Sequence, residues 1–149
     1  MNFAIALAHH AELLLLDEAT SGLDPVMRDD VLDLLLDFVQ SEKHGVLFST
    51  HIMSDLSKIA DYIAFLHEGK LLFFKSKDEL IYRYGLIHCG EKLFREIDHD
   101  DILAWRKQEY EYQILVADRE TAARKYKDCV IDPATLDSIM LLNIRGKKV

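Results

Sequence analysis

The sequence predicts an α/β fold with parallel strands, then a β-hairpin and a small α+β tail, and three observations carry that expectation. Leu13-Leu14-Leu15-Leu16 runs without polar alternation into Asp17-Glu18, the pattern of a strand buried on both faces of a parallel sheet under helices. Asp24-Pro25 then opens a helix running to about Glu42, with Val31, Leu34, Leu35, Phe38 and Val39 at the spacing of one apolar face. Two short apolar runs flank His67-Glu68-Gly69-Lys70, a turn that joins them as a hairpin.

Taken in order, residues 2–10 read as a helix capped by Asn2 and apolar nearly all round, hence buried. His9 and His10 end it, and neighbouring helix positions point in different directions, which does not suit a metal pair. Residues 13–17 form the first strand. In the helix that follows, Asp29, Asp30 and Asp33 lie near the N-terminus, where the helix dipole favours negative charge, and read as solvated surface. His44-Gly45 ends that helix, and residues 46–50 form the second strand. Residues 54–60 are a short helix with Ser54 as its cap. Residues 62–66 and 71–74 are the hairpin strands. Residues 76–83 are a helix with Ser76 at the cap and Glu79 at its third position, a capping box. Beyond Gly85 come an apolar run at 86–89, a charged stretch to about Asp101, and a short mixed segment at 102–107. A strand at 110–116, a helix at 118–126 and a strand at 128–131 follow. A last helix from Asp132-Pro133 places Leu136, Ile139, Met140 and Ile144 on one face.

Composition narrows the function classes. The 149 residues are half apolar, enough for one or two small domains with a core. A formal charge of −8 argues against a nucleic-acid footprint, which needs clustered Lys and Arg. Cys89 and Cys129 stand far apart in no paired motif, so they read as free thiols of a reducing compartment. His88, Cys89 and His99 fit no usual zinc spacing. No apolar run approaches the roughly 18 residues of a membrane span, and Met1-Asn2-Phe3-Ala4 lacks the basic start of a secretory signal. These features describe a soluble cytoplasmic protein whose membrane role, if any, runs through a partner.

The stretch from Leu13 through Asp17-Glu18-Ala19-Thr20 to Ser21-Gly22-Leu23-Asp24 resembles the Walker B motif and D-loop of ATP-binding-cassette (ABC) ATPases. Leu47-Phe48-Ser49-Thr50-His51 resembles the strand that ends in the family's switch histidine. The resemblance implies a partial P-loop NTPase core of the RecA-like type. Residues 1–85 would be the C-terminal part of a nucleotide-binding domain and residues 86–149 a small α+β appendage, similar to that of many prokaryotic exporter ATPases. Ala19, where many members carry proline, also occurs in exporter-type members. Neither a Gly-x-x-x-x-Gly-Lys-Ser/Thr phosphate loop nor a Ser-Gly-Gly signature occurs in the sequence. The expectation is therefore a domain cut just after its signature motif.

The resemblance also implies roles. Asp17 would hold Mg²⁺ mostly through water, as expected of a cation that keeps several waters. Glu18 would act as general base on the water attacking ATP. His51 would contact the γ-phosphate, and Ser21, Gly22, Leu23 and Asp24 would reach a second nucleotide-binding domain in a dimer. A membrane permease subunit would be the other partner, placing the protein at the cytoplasmic face of the cell membrane. Two readings stay open: an ATPase subunit of a transporter, represented in part, or a natural truncated module that binds or regulates without hydrolysis. Both expect no ATP hydrolysis by this chain alone, because the cradle for the β- and γ-phosphates is missing. DNA-maintenance ATPases share the head fold but carry coiled-coil insertions, and no sustained heptads appear. In the family the phosphate-loop strand lies between the His51 strand and the 62–66 strand. Its loss is expected to leave unpaired backbone that closes locally or draws in a second copy of the chain.

Overall fold

The computed structural model describes residues 11–148, so the helix expected at 2–10 lies outside the described residues. The fold is mixed α/β and divides into two compact units, residues 1–60 and 61–149.

The first unit contains β1 (Leu13–Asp17), α1 (Pro25–Val39), β2 (Gly45–Ser49) and α2 (Met53–Ile59). β1 and β2 pair in parallel, with Leu13 opposite Gly45 and Asp17 opposite Ser49. Parallel strands need a crossover, and α1 supplies it. Its start is fixed by Asp24, whose carboxylate accepts the N–H groups of Val26 and Met27 at 3.0 and 3.1 Å, while Pro25 takes the first helical position.

Three sequence expectations need correction here. The leucine strand is covered on one face only: Leu14 is buried, but Leu13 is exposed and Leu15 is 69% exposed. Successive strand side chains point to opposite faces, and within this two-stranded sheet only one face is covered. In α1 the buried positions are Leu32 and Leu35, whereas Leu34 is exposed and the helix ends at Val39. Three consecutive leucines at 34–36 let several stripes fit the same spacing, and packing selects among them. At α2, Ile52 stands at the cap without a side-chain bond, and Ser54 lies inside the helix with its hydroxyl accepting from Arg28.

The second unit opens with the hairpin of β3 (Tyr62–His67) and β4 (Lys70–Ser76). Its two turn residues, Glu68 and Gly69, have φ of +48° and +73°, the paired positive values of a type I′ turn whose twist matches the strands. Glu79–Arg83 forms a π-helical turn instead of the α-helix expected at 76–83. Ser76 still accepts the Glu79 N–H at 3.1 Å, while the Glu79 carboxylate pairs with Lys75. β5 (Gly85–Cys89), α3 (Glu91–Phe94), a 3₁₀ turn (His99–Asp101), β6 (Ala104–Lys107), β7 (Tyr112–Val116), α4 (Arg119–Lys125), β8 (Val130–Pro133) and α5 (Leu136–Arg145) follow. The four strands make an antiparallel sheet in the order β6-β7-β5-β8. Ile87, Cys89, Ile114 and Val116 face a core completed by Ile97, Ile102, Tyr112 and Ala122, with Phe94 stacked on Tyr112. Leu115, on the other side of β7 by alternation, is also fully buried, as are Ile139 and Leu142 of α5.

α5 starts at Leu136, because Asp132 and Pro133 belong to β8; Thr135 and Ser138 form its capping box. Its buried face is Leu136, Ile139 and Leu142, and Ile144 is exposed, contrary to the expected stripe. Burial pushes the Cys89 thiol up to about 11. His88, one residue earlier and on the opposite face of β5, is paired with Glu111 at 3.2 Å.

Candidate functional site

The parallel pairing of β1 with β2 brings two chain segments to one sheet edge: Asp17-Glu18 leaving β1, and Ser49-Thr50-His51 leaving β2. The carboxyl ends of strands in open α/β sheets are where ligands bind. Ser49 stitches the two segments together. Its hydroxyl donates to the Asp17 carboxylate, and its carbonyl and hydroxyl both receive the Glu18 N–H, at 3.0 and 3.2 Å.

Glu18 has φ of +48°, in the left-handed region that disfavours residues with a Cβ. This turn swings the carboxylate out of the line of β1 and toward His51, whose Nδ1 lies 2.7 Å from Glu18 Oε2. The two side chains are open to water, 42% and 71% exposed. With Glu18 ionised, Nδ1–H donates and the carboxylate accepts. The edge therefore presents one carboxylate held by a hydroxyl, Asp17, beside a second carboxylate held by an imidazole, Glu18.

The loop continues as a tight double turn. The Ser21 N–H donates to the Glu18 carbonyl at 3.0 Å, and the Leu23 N–H to the Thr20 carbonyl at 3.3 Å. Gly22, with φ of +76°, supplies the second left-handed position. Ser21, Gly22 and Asp24 are exposed and Leu23 is half-buried. Asp24 also caps α1, so its carboxylate is already engaged by two backbone donors.

Below this loop lies a buried polar network that the sequence did not advertise. Thr20 is 1% exposed and Asp55 fully buried. The Thr20 hydroxyl donates to Asp55 Oδ2 at 2.6 Å, and Arg28 Nε donates to Asp55 Oδ1 at 2.6 Å, with a terminal guanidinium nitrogen 2.5 Å from the same oxygen in an ion pair. The same guanidinium reaches the Ser54 hydroxyl at 2.6 Å. Thr20, Arg28 and Asp55 come from the loop, α1 and α2 and are far apart in sequence. No local periodicity links them; only the balance of one buried anion with one cation hints at the pairing. On the outer side of α1, Asp29 and Asp33, expected as solvated surface, both pair with Lys58 of α2, whose ammonium they hold in its charged form.

No family model matches the chain. Among curated proteins, it is 37% identical over 78 residues to the lantibiotic transport ATP-binding protein SrtF of Streptococcus pyogenes, covering 52% of this chain and 34% of that protein. It is 38% identical over 72 residues to the bacitracin transport ATP-binding protein BcrA of Bacillus licheniformis, covering 48% and 24%. Over 162 aligned residues it is 27% identical to the ABC transporter ATP-binding protein YtrB of Bacillus subtilis, covering 99% of this chain and 53% of that one. The chain thus spans about a third, a quarter and a half of the lengths of these relatives.

Proposed function

The chain is homologous to the ATP-binding proteins of ABC transporters, and from that premise we propose that it is part of the subunit that hydrolyses Mg-ATP to drive transport through a membrane permease. The observation that carries this reading is the 2.7 Å contact of Glu18 with His51 at the edge where β1 and β2 end together.

Asp17 fits Mg²⁺, because a single exposed carboxylate steadied by a hydroxyl suits a cation that keeps most of its waters and takes phosphate oxygens. Bound there, Mg²⁺ would neutralise phosphate charge. Glu18 would accept a proton from the attacking water, its carboxylate aimed by the left-handed backbone turn and held by His51. His51 would meet the γ-phosphate of ATP. Ser21, Gly22, Leu23 and Asp24 would face the second nucleotide-binding domain of a dimer, three of the four being exposed. In this reading residues 1–85 are the nucleotide-binding portion and 86–149 an appendage. No helix among the described residues is long and apolar enough to cross a membrane, and the protein would work at the cytoplasmic face beside its permease. The open face of Leu13, Leu15 and Leu47 would draw the isolated chain into self-association.

The test is a chimera in which residues 11–85 replace the matching stretch of YtrB. ATPase activity is expected, and Glu18→Gln should lower kcat by about 10²–10⁴-fold, the usual worth of a positioned general base. A folded chimera whose activity ignores Glu18→Gln would overturn the assignment.

A second reading is a binding or regulatory module that does not hydrolyse ATP, these 149 residues holding no Gly-x-x-x-x-Gly-Lys-Ser/Thr phosphate loop. Both readings expect the chain by itself to release no phosphate from Mg-ATP. Titration with Mg-ATP separates them: micromolar binding by these residues alone would contradict the second.

A further inference from the structure

We propose that Thr20, Asp55 and Arg28 are positioning residues: their buried network holds the Glu18 loop against the His51 segment and thereby fixes the Glu18–His51 contact. The proposal deepens the ATPase reading, since it concerns how that site is kept in geometry.

The contact cannot hold itself. An ion pair or hydrogen bond between two side chains this open to water contributes little and is readily exchanged for solvent. Glu18 moreover sits in a backbone conformation that a residue with a Cβ adopts at a cost. Something must hold both backbones. Ser49 ties Glu18 to the end of β2, but nothing in that tie restrains the chain beyond Glu18 or beyond His51.

The buried network supplies both restraints. Thr20 follows Glu18 by two residues and Asp55 follows His51 by four. Their 2.6 Å hydrogen bond therefore clamps the two downstream segments to each other. Both oxygens of Asp55 are engaged, Oδ2 by Thr20 and Oδ1 by Arg28. A buried carboxylate with all partners in place has one favoured orientation, because losing any partner strands a charge out of water. Arg28 adds the third tie: its N–H donates to the Asp24 carbonyl at 3.0 Å, so the guanidinium that grips Asp55 is anchored at the end of the same loop. The loop from Glu18 to Asp24 is thus held at its start by Ser49, in its middle by Thr20, and at its end by Arg28.

The test reads the contact directly. Side-chain ¹⁵N NMR of His51 in the full chain reports the state of Nδ1. Glu18→Gln sets the reference signature for a lost carboxylate partner. Thr20→Val, which removes the hydroxyl at nearly constant shape, should shift the Nδ1 signal at least half-way toward that reference, with the amide signals of β5 and β7 unchanged. Thr20→Ser, which keeps the hydroxyl, should retain the wild-type signature. The proposal is overturned if Thr20→Val leaves His51 as it was, or if Thr20→Ser and Thr20→Val shift it equally. Should Thr20→Val fail to fold, Asp55→Asn takes its place against the same reference and the same Thr20→Ser control. None of these readouts involves nucleotide, so failure here is separate from failure of the ATPase reading, which rests on the chimera.

Discussion

The two units of this chain are built on opposite principles. In residues 61–149 a four-stranded antiparallel sheet is buried on both sides of its central strand β7, and the fully buried side chains there are apolar: Leu80, Ile87, Ile114, Leu115, Ile139 and Leu142. In residues 11–60 the buried apolar set is small, Leu14, Ala19, Leu32 and Leu35, and it is accompanied by Thr20 and Asp55. Apolar burial is non-directional; it stabilises a fold without aiming a particular carboxylate. Hydrogen bonds are directional but contribute little net stability each. The region that bears the candidate chemistry buries Thr20 and Asp55 in such bonds, which fix orientation, whereas among the described residues the other region makes its side-chain hydrogen bonds, such as those of Lys125, outside its apolar core.

That contrast can be broken from the apolar side first. Ile114→Ala, in the centre of the second unit, should cost about 2–5 kcal/mol, while Leu15→Ala on the open face of β1 should stay within about 0.5 kcal/mol. Amide hydrogen exchange resolved by strand measures both. A comparable loss at Leu15 would mean that this face is covered in solution. From the polar side, Arg28→Ala should cost about 3 kcal/mol, the low end for stripping a partner from a buried carboxylate, since Arg28 itself is a quarter exposed. The loss of protection should appear in α1 and α2 and spare β5 and β7. Uniform loss across both units would show that they do not behave as separate cooperative regions.

The smallest effect concerns pH. In the second unit, the Asp100 N–H and Lys125 hold the Asp98 carboxyl below its usual value, and Lys125 with the Tyr126 hydroxyl does the same for Asp101. The same carboxylates raise the Lys125 ammonium. A lowered folded-state carboxyl contributes stability that is present above the unfolded value, about 4, and is lost as pH falls through the folded one. The lysine contributes below its unfolded value, about 10.4, and loses that contribution only as pH rises beyond it. The urea midpoint should therefore fall between pH 5 and pH 2, and Asp98→Asn with Asp101→Asn should flatten that slope while leaving the neutral-pH fold intact. An unchanged slope in the double variant would remove this cluster from the account of acid stability.

Much of the first unit was legible because its signals are local. A helix cap is a contact over two or three residues, so Asp24-Pro25 announces α1 reliably. In the second unit the Glu68-Gly69 turn does the same for the hairpin, because few residues tolerate paired positive φ. Faces were harder to read. The 34–36 leucines admit more than one stripe, and the actual face was chosen by what packs against Leu32 and Leu35. The leucine strand looked covered on both sides because an apolar run records what a strand tolerates, not what lies over it. The Thr20–Asp55 bond was invisible for a plainer reason: a threonine and an aspartate distant in sequence carry no joint pattern.

By itself the amino-acid order determined that two strands would end in Asp17-Glu18 and in Ser49-Thr50-His51, since strand, cap and turn preferences act over a few residues. Only the tertiary structure decided that Glu18 and His51 at those ends lie 2.7 Å apart and that a buried threonine and aspartate, with a part-buried arginine, join the segments that follow them. Parallel pairing and buried hydrogen bonds join residues that the chain separates, and their geometry exists only once the intervening helix has folded back.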